Sequence, residues 1–200
     1  MNKFPKYFII AFGWLAVCYP LWVRAQHLQW QMEITNISLN IFPLLGLAAV
    51  SMLWLHSISG VFEPWLRQHI NFDRFVNITA KLILLCFGLH PILLFAGVGY
   101  SVSNIFFYYG TLYIWLGIIS WLLLIVYDIT KPFKQQGFFA KHWQKVLITS
   151  NLGFLLSFFH SLNLGSDLQS PPLRIIWIFY GITGALAIIY TYGTKRFFVK

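Results

Sequence analysis

The sequence has few charged residues, and it is especially poor in acidic ones. Only 10% of its 200 residues are charged and only five are Asp or Glu, whereas 58% are hydrophobic and 20% are aromatic. A single soluble core in a chain of this length cannot bury so much apolar surface. The composition therefore excludes an ordinary soluble domain and indicates an integral membrane protein.

Other absences narrow the functional classes. The chain contains no HExxH, GxGxxG or P-loop motif, so it shows no zinc-protease pair and no nucleotide or phosphate cradle. Its two cysteines, Cys18 and Cys86, form no CxxC motif, and we expect both to be small core residues. No Asp or Glu lies at the centre of an apolar run, which disfavours a proton-coupled transporter and an intramembrane aspartyl protease.

Six apolar runs are long enough to cross about 30 Å of hydrocarbon as helices. They cover residues 7–23, 41–60, 76–98, 105–127, 145–164 and 174–193. The first loosely resembles a signal peptide, but its length and Arg24 before Ala25 favour a retained anchor. The connections are short, with no repeat or low-complexity tract. We therefore expect an all-α integral membrane protein, a bundle of six transmembrane helices forming a single domain over residues 1–200.

The net charge of +9 is unevenly distributed along the chain. Twelve of the 14 Lys and Arg residues lie before the first run, after the sixth, or around the loops that follow the second and fourth; Arg24 and Arg174 lie on the other side. By the positive-inside rule, both the N and C termini are predicted to be cytoplasmic. The excess of Lys and Arg over acidic residues thus indicates contact with anionic membrane lipid rather than with nucleic acid.

Histidines are the remaining candidates for chemistry inside the membrane. His27 and His69 lie in loops, where a solvated side chain is the expected state. His56, near the inner end of the second run, and His142, beside an interfacial tryptophan, are additional candidates for a functional role. The other two histidines, His90 and His160, are flanked on both sides by apolar helix and are the principal candidates.

His90 and His160 are predicted to lie at similar depth in the outer half of the bilayer. The third and fifth runs both start in the cytoplasm, so depth can be counted from their basic inner ends. Sixteen residues separate Arg74 from His90, or about 24 Å of helix, and fifteen separate Lys145 from His160, or about 22 Å. Two imidazoles at one depth on parallel helices can face each other across a bundle.

Two neutral imidazoles on facing helices are suited to bind the two axial positions of a b-type haem iron. With both positions filled, no open site remains for O₂, which favours electron transfer. Aromatic walls could come from Phe87, Phe95, Phe154, Phe158 and Phe159. Each histidine could instead have a structural role, as a neutral core residue that hydrogen-bonds a neighbour. For His160 the neighbours are Ser157 and Ser161, and for His90 the neighbour is a carbonyl one turn earlier that Pro91 leaves without its N–H partner.

Three stretches resemble the ferric reductase-like transmembrane domain family: DRFVNITAKLILLCFGLH, YIWLGIISWLLLIVYDIT and KHWQKVLITSNLGFLLSFFHSL. The closest likeness is to the haem-binding membrane subunit of the bacterial periplasmic methionine sulfoxide reductase system, over roughly residues 40–198. The resemblance implies that His90 and His160 are haem-iron ligands. It also implies a multi-pass protein of a bacterial-type inner membrane.

The sequence departs from this pattern at two ligand positions. Leu147 stands where such subunits have the first histidine of the fifth span, and Asn104 stands where two-haem members have a second histidine of the third span. The Arg-Pro-Tyr before the fourth span is also absent, with Phe106-Phe107-Tyr108-Tyr109 in that region. The pattern is similar to that of the single-haem six-transmembrane metalloreductases, which implies one haem b.

The predicted function is that of a transmembrane electron-transfer subunit, an oxidoreductase component without its own soluble reductase domain. The electron donor would lie in the cytoplasm or in the membrane. It would be a quinol, from a bound quinone, or a flavin, FMN or FAD. A flavin would be bound by a separate protein or by the basic inner loops of this chain. The acceptor would be a periplasmic protein or a metal ion at the outer face. Two alternatives remain, a haem-free membrane scaffold of the same fold and a small transporter or channel.

Overall fold

The protein is almost entirely helical. A computed structural model describes residues 4–28 and 34–194; it is 90% helical, and those residues contain no β-strand. Eight α-helices follow one another among the described residues: α1 Phe4–Ala25, α2 Ile34–Val61, α3 Glu63–His69, α4 Phe72–Gly97, α5 Val102–Tyr109, α6 Thr111–Thr130, α7 Gly137–Leu164 and α8 Leu173–Ile189. Short 3₁₀ turns follow α6 and α7, and a π-helical turn, Tyr190–Thr194, follows α8.

Six of the described helices are long and apolar enough to span a membrane, namely α1, α2, α4, α6, α7 and α8. The prediction of an all-α protein with six candidate spans is therefore confirmed, and the six apolar helices are consistent with a multi-pass membrane protein in contact with lipid. Several helices run past the apolar stretches that predicted them. The helix α7, for example, starts eight residues before the predicted span at 145 and carries two lysines in its first turns.

A glycine divides the region predicted as the fourth span, 105–127. Gly110 has φ 77°, in the left-handed region that glycine adopts without steric cost, and it separates α5 from α6. The spanning helix α6 therefore starts at Thr111. The preceding helix α5 leaves large aromatic side chains exposed, with Phe107 at 83%.

Polar contacts define the start of α4. The Asn71 side chain caps the helix by accepting a hydrogen bond of 3.0 Å from the backbone N–H of Arg74. Arg67 on α3 donates to Asp73 at 2.9 Å and to Glu63 at 2.9 Å. These bonds, together with the charges of the two carboxylates, raise the pKa of the Arg67 guanidinium above its usual value. Two of the five acidic residues are thus engaged with one arginine near the start of a span.

The chain divides into two compact units, Met1–Ser101 with Ile178–Lys200, and Val102–Trp177. In the first unit α2 packs along α4 through a buried cluster of small and apolar residues: Ala48, Ala49, Met52, Ile83 and Cys86. Cys86 therefore lies in the core as expected. Cys18 is exposed instead, which makes it a surface residue of α1, and that expectation was wrong.

Buried aromatic residues connect α1, α2 and α8 within the first unit. The rings of Trp54 and Tyr180 stack with centroids 4.1 Å apart. The indole N–H of Trp54 donates to Thr183 Oγ1 at 2.8 Å, and the Tyr180 hydroxyl donates to the carbonyl oxygen of Ala16 at 2.8 Å. The polar atoms of both rings are thereby hydrogen-bonded, and the three helices are held together.

In the second unit α6 packs closely along α7. A Cβ at Gly153 would lie 2.8 Å from Leu124 Cγ and 3.1 Å from the Ser120 carbonyl oxygen, so only glycine permits this approach. The Ser120 hydroxyl donates across the contact to the Gly153 carbonyl at 2.7 Å. Small residues at such contacts let transmembrane helices approach closely and add interhelical hydrogen bonds.

Candidate functional site

The first of the two principal histidines, His90, lies on α4 in the first unit. Its Nδ1 is 2.7 Å from the carbonyl oxygen of Phe42 on α2, 48 residues away. A carbonyl oxygen can only accept, so Nδ1 carries the proton and Nε2 carries the lone pair of the neutral ring. Helix packing has therefore selected the tautomer whose Nε2 can bind a metal.

Gly46 makes this contact possible. It lies one turn after Phe42 on the same face of α2, where a side chain would cover the accepting carbonyl. A Cβ at this position would lie 3.0 Å from Cε1 and 3.2 Å from Nδ1 of His90. The aromatic ring of Phe42 completes the surroundings, with its centroid 5.3 Å from that of the imidazole.

The second histidine, His160, repeats this arrangement on α7 in the second unit. Its Nδ1 is 2.7 Å from the carbonyl oxygen of Tyr113 on α6, 47 residues away. Gly117 lies one turn after Tyr113, and a Cβ there would lie 2.6 Å from both Cε1 and Nδ1 of His160. Among the described residues, the structure records no hydrogen bond to Nε2 of His160.

The two units thus contain the same histidine motif. In each, an aromatic residue supplies the carbonyl, a glycine follows four residues later, and the histidine lies on the next spanning helix, 44 or 43 residues after the glycine. No repeat was predicted from the sequence, so this one corrects that prediction. In the sequence the repeat consists of only three matching positions, an aromatic residue, a Leu and a Gly, in the stretches Phe42-Pro-Leu-Leu-Gly46 and Tyr113-Ile-Trp-Leu-Gly117.

His56 also makes a contact between helices, but through its other nitrogen. Its Nε2 is 2.5 Å from Thr79 Oγ1 on α4. The Thr79 hydroxyl also bonds the Phe75 carbonyl of its own helix at 2.7 Å. In His56 it is therefore Nε2 that contacts another helix, whereas in His90 and His160 it is Nδ1.

The remaining described histidines make local or surface contacts. His142 Nδ1 is 3.0 Å from the carbonyl oxygen of Phe138, one turn earlier on its own helix. His69 has the same local bond, 2.8 Å to the Trp65 carbonyl. His27 is exposed. In His142 and His69, Nδ1 is bonded within the residue's own helix, whereas in His90 and His160 it is bonded to a carbonyl of another helix.

The five phenylalanines predicted to line a cofactor do not share one environment. Phe154 and Phe158 on α7 are buried, whereas Phe159 is half exposed. Phe87 packs against the α2–α4 cluster, and Phe95 makes an edge contact with Tyr100. The buried pair on α7 therefore fits an internal wall better than Phe159 does.

The two departures from the family pattern have ordinary structural surroundings. Leu147 lies on α7 and is partly buried, and its carbonyl accepts a bond of 2.7 Å from the Asn151 side chain. Asn104 lies on α5, before the break at Gly110, and is not part of a spanning helix.

The arrangement can supply two neutral imidazoles with defined tautomers. Within the described part of the chain, no group of three His, Cys, Asp or Glu residues comes together that could hold a metal ion. Axial ligation of a haem iron requires only two side chains, one on each face. Histidines that bind metals commonly donate their other ring N–H to a backbone carbonyl, which sets the tautomer and orients the ring. His90 and His160 fit this role, because each has that bond and a glycine that leaves room for the ring.

Comparisons with protein-family models, with curated proteins and with solved structures found no match to this chain.

Proposed function

We propose that this chain is a b-type haem protein that transfers electrons across a bacterial-type cell membrane, with His90 and His160 as the axial ligands of one haem. The observation that carries the proposal is the repeated histidine motif. In both units a histidine within a span donates Nδ1–H to the carbonyl of another helix, so the lone pair of the neutral ring lies on Nε2, the nitrogen that is proposed to bind the iron. Ionisable residues inside a membrane are costly, which favours a functional role for both.

When bound, haem supplies one-electron redox chemistry, and two histidine ligands leave no iron position for O₂. The protein holds the ligands and defines their tautomers. A carbonyl that accepts from Nδ1–H makes the imidazole a stronger electron donor, which stabilises the oxidised metal. The two carbonyls, of Phe42 and Tyr113, are thus expected to lower the redox potential.

The electron donor and acceptor are proposed to be other molecules. The described residues consist of helices and short connections, which supports a donor outside the chain, either a membrane quinol or a flavin, FMN or FAD. Exposed lysines near the end of α6 and the start of α7 offer positive charge for an acidic partner or a flavin phosphate: Lys131, Lys134, Lys141 and Lys145. The acceptor is proposed to be a protein or metal ion at the outer face.

The proposal also includes the orientation and the family. Twelve of the 14 basic residues lie on one side of the six spans, so we propose cytoplasmic N and C termini. The three similar stretches and the two histidines support a single-haem relative of the ferric reductase-like transmembrane domains. Leu147 and Asn104, which replace further ligands, support one haem rather than two.

Optical spectra test the function directly. The protein purified from a haem-replete host is expected to contain one b-type haem per chain, reducible by dithionite. Two haems per chain would overturn the single-site assignment and point to His56 and His142 as further ligands. A chain without haem would contradict the proposal and favour the haem-free scaffold or the transporter.

A further inference from the structure

We propose that Gly46 and Gly117 are positioning residues for the two histidines, an inference that deepens the proposed haem function and rests on it. Each glycine lies one turn after the carbonyl that accepts from the imidazole, on the same helix face. The missing Cβ leaves the space in which the ring lies against the backbone. The glycine thereby determines both the hydrogen bond at Nδ1 and the direction of Nε2.

The contact distances give the two positions different tolerances. A Cβ at Gly117 would lie 2.6 Å from His160 Cε1 and Nδ1, which is closer than real Cβ contacts, so the ring or the helix must shift. A Cβ at Gly46 would lie 3.0 Å from His90 Cε1, a contact that requires a displacement of a few tenths of an ångström. Alanine is therefore expected to disturb the motif of the second unit more than that of the first.

Other glycines in the same spans show that the contact is specific. A Cβ at Gly88, two residues before His90, would meet nothing within 4 Å. Gly97 and Gly153 are crowded, but by Leu39 and Leu124 respectively. Of the five glycines compared here, Gly46 and Gly117 would meet a histidine, and the other three would not. Glycine in a helix interior is less favourable than alanine by about 1 kcal/mol, so its use at two matching positions needs a local reason.

The test compares alanine variants of three kinds of glycine in the full chain. Gly46→Ala and Gly117→Ala insert a methyl group against an imidazole. Gly97→Ala and Gly153→Ala insert one against a leucine, and Gly88→Ala inserts one into open space. For each purified variant we would measure haem affinity, midpoint potential and the low-spin electron paramagnetic resonance of the oxidised protein. In the haem-free protein, ¹⁵N NMR of labelled histidine would report the tautomer.

Gly117→Ala is expected to weaken haem binding about 10- to 100-fold, the usual effect of removing a partner that orients a metal ligand. Gly46→Ala is expected to show a smaller loss in the same direction. Haem that remains is expected to have a raised midpoint potential and altered g values, because a weaker Nδ1–H bond makes the imidazole a poorer donor. Gly97→Ala and Gly153→Ala are expected to lower thermal stability while leaving the spectrum and potential as in the wild type, and Gly88→Ala to change neither.

Two results would overturn the inference. One is a wild-type spectrum, potential and histidine tautomer in both Gly46→Ala and Gly117→Ala. The other is the same spectral change in Gly153→Ala as in Gly117→Ala, since that would mean that general helix spacing controls the ligand. If Gly117→Ala does not accumulate, Gly46→Ala with its milder contact decides. A wild-type chain without haem would contradict the proposed function, whereas the NMR tautomers of the haem-free variants would still test the positioning role.

Discussion

Trp177 donates its indole N–H to the hydroxyl of Ser161 at 2.8 Å, and Ser161 is the residue after His160 on α7. The Trp177 side chain is fully buried. The Ser161 hydroxyl passes its own proton to the carbonyl of Phe158 at 3.0 Å, so it serves as both acceptor and donor. This bond joins the start of α8 to α7 one residue from a proposed haem ligand.

We expect substitutions at Trp177 and Ser161 to have non-additive effects on the free energy of unfolding. In a double-mutant cycle with Trp177→Phe and Ser161→Ala, the coupling free energy is expected to be about 1 kcal/mol, as for other interhelical hydrogen bonds in membranes. Denaturation in detergent micelles would measure it. Ser157→Ala is the matched control, because the Ser157 hydroxyl donates to the Phe154 carbonyl of its own helix. Equal coupling of Trp177 to Ser157 and to Ser161 would contradict the expectation.

The histidine substitutions follow from the proposed ligation. His90→Ala and His160→Ala are each expected to abolish the normal b-type spectrum, since loss of one axial ligand leaves the iron with a single histidine. His69→Ala should retain one haem per chain, because Nδ1 of that ring is bonded to the Trp65 carbonyl of its own helix. Addition of free imidazole to the alanine variants is expected to restore part of the low-spin signal. An unchanged spectrum in either of the first two variants would refute the assignment.

Local patterns in the sequence predicted the six spanning helices and the two deep histidines. The hydropathy of a span and the position of a histidine within it depend on neighbouring residues, so both can be predicted without the fold. The partners of the histidines could not be predicted in this way. The sequence suggested nearby serines or a carbonyl freed by Pro91, whereas the accepting carbonyls lie 48 and 47 residues away on α2 and α6.

The two serines near His160 make other contacts. Ser157 and Ser161 donate to carbonyls of α7 itself, so their hydroxyl protons are used within the helix. The contact of His160 with Tyr113 depends on how α6 and α7 are aligned along their length. That alignment is a property of the packed pair of helices, which no pattern within a single helix reveals.

Orientation is a further prediction that can be tested in cells. With the C terminus in the cytoplasm, a green fluorescent protein fused after residue 200 is expected to fluoresce, and an alkaline phosphatase fused there to be inactive. Fusions truncated after Leu28, beyond α1, should give the opposite pattern, because one span lies between the N terminus and Leu28 whereas six lie between the N terminus and residue 200. Active phosphatase at residue 200 would reverse the proposed direction of electron transfer.

The bond between His56 and Thr79 separates a single-haem chain from a two-haem chain. Nε2 of the ring is bonded to the Thr79 hydroxyl, so this nitrogen is not available to a metal while the bond exists. His56→Ala is therefore expected to keep one haem per chain with an unchanged spectrum, and to cost about 0.6 kcal/mol of stability, the average for such a bond. Thr79→Val, which removes the same bond but keeps the imidazole, is the matched variant. Loss of haem in His56→Ala but not in Thr79→Val would make His56 a ligand and would contradict the assignment of one haem to His90 and His160.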